Sequence, residues 1–304
     1  MIAELKTLGD VSLLSFLGET GLSLEDLYAR NKTFADLRRA AGFDLSTPND
    51  KELALLRGVS RMHHIDDSTR IRKYQEWLSE DHRPNTSQMP NFQRRLARML
   101  SASVTSAMKM NSGDEELALI WEYPAVRREL QHLLEVRAGV VDVVHPEHTV
   151  QPEVPLRIHA LYSRVEIQAA LDDIKDGKIK EFREGVRYVD ELLTDFFLFT
   201  ADKSSAGFSP TTRYRDYAIS ADLIHWESQS TTSSKSPVGR RYINHQQDGT
   251  TILLFGRQSK SDDAYWFLGP ANYVTHSGEY PVAFTWKLDF PLPAALLSLF
   301  AAAA

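Results

Sequence analysis

The feature that most limits what this chain can fold into is a change of texture near its middle. Before about residue 139, apolar residues recur at helical spacing between capping signals. After about residue 156 they fall into short runs separated by turn-formers. The join, VVDVVHPEHTVQPEVPL, is interrupted by Pro146, Pro152 and Pro155, and a proline fixes φ and removes a backbone donor, so the segment reads as a linker. Helices segregated from strands along a chain pack as separate layers or domains. The expected class is therefore α+β, with a helical domain over 1–150 followed by a mainly antiparallel, β-barrel-like domain over 151–304.

In the first half, Asp10 precedes VSLLSFLGETG and Ser23 precedes LEDLYARN. Thr33 and Asp36 have the spacing of a capping box, with Gly42 as the matching C-cap. Longer amphipathic segments are expected near 50–60, 67–80, 91–110 and 114–138, the last broken at Pro124, with a polar connector over 81–90. After the linker, Ser163 and Glu166 start one helix. Strands are then expected over 185–189, 195–200, 214–219, 223–229, 250–257, 265–274 and 282–288, with SSAG, QQDG and HSGEYP as turns and a closing helix after Pro293.

Composition narrows the function classes. No apolar run approaches the roughly 18–20 residues of a membrane span. The absence of cysteine excludes disulfides and thiolate zinc sites and suits the cytoplasm, as does a start without a secretory cleavage pattern. Net charge is −6, yet residues 203–260 hold eight Lys or Arg against four Asp or Glu. A polyanion would thus meet a local cationic patch. The sequence has no G-x-x-x-x-G-K-[ST] phosphate loop, no H-x-K-x4-D nuclease signature, no H-E-x-x-H and no EF-hand spacing. No catalytic residue, cofactor or metal ligand is expected in this chain. His63, His64, Asp66 and Asp67 read as a helix start, because adjacent helical positions point about 100° apart. Arg94, Arg95 and Arg98 read as a helix surface, with a DNA-backbone contact as the alternative.

The segment FSPTTRYRDYAISADLIHWESQSTTS, 208–233, mixes aromatic, cationic and amide or hydroxyl side chains in a way that a half-buried strand does not need. Aromatic faces beside fixed hydrogen-bonding groups suit a nucleic-acid base, which stacks for roughly 1–3 kcal/mol. Strand alternation puts Tyr214, Asp216 and Ala218 on one face and Arg215, Tyr217 and Ile219 on the other. It likewise separates Ile224, Trp226 and Ser228 from Leu223, His225, Glu227 and Gln229. Ile219, Leu223 and Ile224 are expected in the core, with Trp266 and Trp286. The candidate nucleic-acid-binding residues are Tyr214, Asp216, Tyr217, His225, Trp226, Ser228 and Gln229, with Arg213, Lys235, Arg240 and Arg241 in flanking loops to hold phosphates. Ser228 or Ser230, His225 and Asp216 supply the residue types of a hydrolase triad, but no G-x-S-x-G elbow accompanies them.

LYSRVEIQAAL, EGVRYV, FSPTTRYRDYAIS, HWESQSTTS, GRRYINH, LLFGR, YWFLGPANYVTHSGEYPVAFTWKL and PLP occur in an order and spacing that resemble a known domain. It is the uncharacterised C-terminal domain of bacterial DEAD/DEAH-type helicases that carry a phospholipase-D-like nuclease domain, also found beside HNH nucleases. FLGETGLSLEDLY and RMHHIDDSTR are similar to what precedes that domain there. The resemblance implies a piece of a longer restriction or phage-defence protein, with helicase and nuclease domains as partners in cis or in trans. By analogy it implies a PUA-like or SET-and-RING-associated-like fold that reads modified bases. The resulting expectation is DNA recognition, of duplex carrying a modified or flipped base. The alternatives are an assembly module joining helicase to nuclease and a cryptic nuclease.

Overall fold

The computed structural model describes residues 1–29, 32–108, 113–140, 151–175, 178–180, 185–201 and 216–301. Arg213, Tyr214, the SSAG turn and most of the linker lie outside the described residues. The chain divides into two compact units: Met1–Val144, Pro152–Pro155 and Ser163–Lys180 in the first, and His145–Gln151, Leu156–Tyr162 and Glu181–Ala304 in the second. The sequence had assigned everything after 150 to the β-domain, whereas Ser163–Lys180 groups with the helices.

The first unit contains helices α1 (Ile2–Leu8), α2 (Leu13–Thr20), α3 (Leu24–Tyr28), α4 (Phe34–Ala41), α5 (Asp50–Ser60), α6 (Ser68–Ser79), α7 (Asn91–Val104), α8 (Asp114–Glu122), α9 (Pro124–Val140) and α10 (Arg164–Ala170). Their ends follow the expected local chemistry. Ser23 and Thr33 form capping boxes with Asp26 and Asp36, and Gly42 closes α4 at φ 88°. Pro124 opens α9, a position where its missing N–H costs nothing. One cap differs: Ser12 rather than Asp10 starts α2, while Asp10 pairs with Arg38. Asp67 caps α6, as the Asp-rich start suggested. At Gly58 of α5 an added Cβ would lie 1.9 Å from the Val104 carbonyl oxygen, so α5 and α7 approach backbone to backbone.

Helix α10 is anchored by a buried carboxylate. Glu166 accepts the Ser163 N–H (2.7 Å) and hydroxyl (2.9 Å) as the capping box requires. It also accepts His64 Nε2 (2.7 Å), Arg70 Nη1 (3.0 Å) and the Ser103 hydroxyl (3.1 Å). Glu166 and Arg70 are both fully buried. Although burial opposes it, these cations hold the carboxyl well below its ordinary range. A second carboxylate, Asp172, takes Arg95 Nε (2.7 Å) and an Nη of Arg98. Two of the three α7 arginines are thereby committed within the unit.

The second unit is built on an eight-stranded sheet. Strands β4 (Val186–Val189), β5 (Thr194–Thr200), β8 (Thr251–Arg257), β9 (Ala264–Ser277), β10 (Ala283–Leu288), β7 (Leu223–Glu227) and β6 (Tyr217–Ala218) lie side by side in that order, and β1 (Leu161–Ser163) pairs with β9. A separate two-stranded ladder joins β2 (Ile174–Lys175) to β3 (Lys178–Ile179). Along the path from β4 to β6, pairing is antiparallel except for β5 with β8. Among the described residues the end strands β4 and β6 are not joined, so the sheet is open there and forms no closed barrel.

Two helices flank this sheet in the chain, α11 (Pro237–Asn244) and α12 (Ala294–Phe300). The core centres on Phe197, whose ring stacks on Trp226 at 4.3 Å and 11°. Tyr242 of α11 meets Phe197 edge-on at 4.9 Å, and Trp286 does so at 5.8 Å. On the other face, Phe255 stacks on Phe267 at 4.6 Å. Strands β5 and β8 are therefore covered on both faces, as their near-continuous burial shows. Strand β7 alternates half-buried and buried residues, so one of its faces is fully enclosed and the other only partly.

Candidate nucleic-acid interface

The half-buried face of the sheet runs across β6, β7, β10 and the neighbouring part of β9. Register places Tyr217, His225, Thr285 and Thr275 in one row across these four strands. The Tyr217 and His225 rings stack at 4.8 Å and 10°, and both are half-buried. One register step away, Leu223 and Lys287 sit opposite each other, with Lys287 exposed. In the other direction Glu227 faces Ala283. Alternation explains the arrangement, since Ile224, Trp226, Phe284 and Trp286 take the opposite, core face. Among the described residues this face carries an aromatic pair, hydroxyls, the Glu227 carboxylate and Lys287.

The other candidates divide between core and periphery. Trp226 is 4 % exposed and keeps no face for a ligand, because Phe197, Tyr242 and Phe284 surround it. Asp216 is buried and accepts the Glu227 N–H at 3.0 Å. Ser228 is fully buried, and its hydroxyl accepts the Val282 N–H at 3.0 Å, tying β7 to the start of β10. That commitment removes Ser228 as a nucleophile. Gln229 is half-buried just beyond β7, where its carbonyl accepts the Thr232 N–H.

Arg240 and Arg241 lie on a helix and not in loops. SPVGRRYIN has the Pro and Gly of a turn, but Ser236 caps it and Pro237 stands at N1, which favours a helix start. Arg241 makes two hydrogen bonds to Asp195 (2.7 and 2.8 Å) and lies 4.2 Å over the Tyr188 ring. The hydrogen bond to Asp195 raises its pKa further. Arg240 and Lys235 are exposed. Because Tyr242 fixes α11 to the core face, Arg240 goes with that helix, while Lys235 lies in the turn before it. Ile219, expected in the core, is 50 % exposed, while Ile224 and Trp286 are fully buried and Leu223 and Trp266 half-buried. A two-residue β6 ends before Ile219 can be covered.

Among the described residues, no group of three or more His, Asp or Glu is placed to hold a metal ion. No described helix is long and apolar enough to cross a membrane. Sequence reasoning missed Thr275, Thr285 and Lys287, whose role on the open face depends on strand order. His245, a residue type that the sequence leaves between structure and ligand, is a structural hydrogen-bonding residue: it is buried with Nδ1 against the Thr250 carbonyl (3.2 Å) and Nε2 accepting the Tyr273 N–H (3.1 Å).

Residues 156–300, just under half of the chain, match the family model described as "Domain of unknown function (DUF3427)". No curated protein matches the chain. Among solved structures, a match is found to Arabidopsis thaliana SUVH6 in complex with SAM, at 12% identity and a TM-score of 0.34. It covers 83% of this chain and 42% of that one, so the chain spans less than half of the solved relative's length. Similarity at that level does not define a shared fold.

Proposed function

We propose that this chain is a DNA-recognition part of a larger bacterial restriction or phage-defence assembly, acting in the cytoplasm beside helicase and nuclease domains. The observation that carries this reading is the stacked Tyr217–His225 pair, half-buried on the sheet face opposite the Trp226 core. An aromatic pair there, in line with Thr285 and Thr275, offers a π-surface and hydroxyl donors and acceptors to a base. Lys287 supplies a cation on the same face. The motif resemblance to helicase-associated domains supports the choice of DNA as partner, with a modified or flipped base as the preferred feature.

The test is fluorescence anisotropy of the full chain with matched duplexes that are unmodified, cytosine-methylated, hydroxymethylated or phosphorothioated, at low and moderate salt. Tyr217→Ala and His225→Ala are expected to weaken binding by about 1–3 kcal/mol each if a base stacks there. Preference for one modified duplex, lost in both variants, supports a base reader. Equal, salt-erased binding to all four leaves only a phosphate-holding surface.

A second reading, an assembly module, is favoured by the internal satisfaction of Asp216, Trp226, Ser228 and Arg241. It predicts no binding of any duplex at low salt, together with retention by isolated helicase or nuclease domains.

A further inference from the structure

The turn before α11 meets the tip of the β9–β10 hairpin through an exposed carboxylate. Glu279 accepts the Ser234 N–H at 2.8 Å and the Ser234 hydroxyl at 2.5 Å. These two hydrogen bonds, hydroxyl first, hold its carboxyl below the ordinary value, and the His276 and Lys235 charges act in the same direction. The donors are not the amides of α11 itself, since the Gly239 N–H is already capped by the Ser236 hydroxyl at 3.1 Å. The turn is held in place by packing: an added Cβ at Gly239 would lie 2.0 Å from the Ser233 carbonyl oxygen. Beside Glu279, Tyr280 is 62 % exposed, an isolated ring at the hairpin tip. Gln229 lies at the same end of the sheet, because Ser228 next to it is hydrogen-bonded to Val282.

Two convergent donors and a neighbouring lysine around one oxyanion are the parts of a phosphate contact, and the next residue along the chain, Tyr280, is an exposed aromatic. We propose that this turn and hairpin tip form a phosphate-binding site, and that Glu279 occupies the oxyanion's place until a phosphodiester displaces it. This inference rests on the DNA-binding reading for the source of the phosphate, but its residues are separate from the Tyr217–His225 surface. The ligand takes the donors of Ser234 and the charge of Lys235, with its base toward Tyr280. Displaced, Glu279 turns to solvent, a small motion for a side chain that is exposed already.

The experiment uses the full chain as wild type, Glu279→Gln, Glu279→Gln with Lys235→Ala, and Asp248→Asn as a control that removes a different exposed carboxylate. Binding to duplex and single-stranded DNA is measured across salt concentrations. Separately, the Ser234 amide is followed by NMR during titration with inorganic phosphate. Glu279→Gln is expected to bind DNA several-fold more tightly, with the log–log salt slope steeper by about 0.9, the signature of one more neutralised phosphate. Lys235→Ala is expected to reverse that gain, and the Ser234 amide to shift saturably with phosphate in Glu279→Gln before it does in wild type. Equal behaviour of Glu279→Gln and Asp248→Asn in both assays overturns the inference, even if wild type binds DNA. A saturable Ser234 shift without DNA binding by any variant upholds the phosphate site, assigns it to free phosphate and removes the DNA reading.

Discussion

At the scale of single residues, the same side-chain types serve opposite ends depending on which face of a strand they occupy. Trp226 and His225 are neighbours, yet one lies in an aromatic core and the other on the open face. Trp226→Ala is expected to destabilise the second unit by about 3–5 kcal/mol in urea unfolding, as loss of a buried aromatic does. A loss of DNA binding in that variant therefore reports unfolding, which is why Tyr217 and His225 are the informative substitutions. Glu166→Gln removes a buried counter-charge from Arg70 and is expected to cost about 3–5 kcal/mol, measured in the same way. Two buried groups give opposite pH dependence. Burial lowers His245 from 6.5, so its contribution to stability is whole above 6.5 and is lost as pH falls through the folded value. Burial pushes the Glu129 carboxyl up from 4.5 to about 7, against hydrogen bonds from the Phe34 and Ala35 N–H groups. Its contribution is present below 4.5 and is lost as pH rises through about 7. Unfolding free energy followed from pH 4 to 8 should flatten above pH 4.5 in Glu129→Gln, and below 6.5 in His245→Gln.

At the scale of elements, short-range chemistry decided the helix ends and long-range coverage decided the strands. Capping boxes at Ser23, Thr33 and Ser163 were visible as residue patterns because both partners lie within four positions. Helix α11 was not visible, since Pro237 and Gly239 read as turn residues until Tyr242 is seen to need burial against Phe197. Close packing makes Gly58 sensitive. Gly58→Ala is expected to destabilise the first unit, because its Cβ would overlap the Val104 carbonyl and force α5 from α7. The melting temperature of this variant, compared with Gly18→Ala where no atom lies within 4 Å, isolates the overlap from helix propensity.

At the scale of the whole molecule, the family match and the compact units do not share a boundary. The match begins at residue 156, while Ser163–Lys180 belongs with the helices through Glu166 and Asp172. A fragment starting at 156 removes His64, Arg70, Arg95 and Arg98 at once. Hydrogen exchange over 164–170 is expected to be far faster in that fragment than in the full chain, whereas β8 and β9 should keep their protection. Slow exchange of α10 in the fragment would show that these ion pairs are dispensable. From the chain alone came the α+β class, most helix caps, the positions of β4 to β10 but not of β1, β2 or β3, and the alternation that separates Tyr217 from Ala218 and His225 from Trp226. These depend on neighbours a few residues apart, and periodicity records them. Strand order, the parallel β5–β8 pair, the open sheet and the bonding of Arg241 to Asp195 came only with tertiary structure. They depend on partners some fifty residues away, such as Asp195 and Arg241, whose meeting no local pattern encodes. For the same reason, the cluster that is continuous in sequence from Asp216 to Arg241 is divided in space between a core, an open face and a hairpin tip.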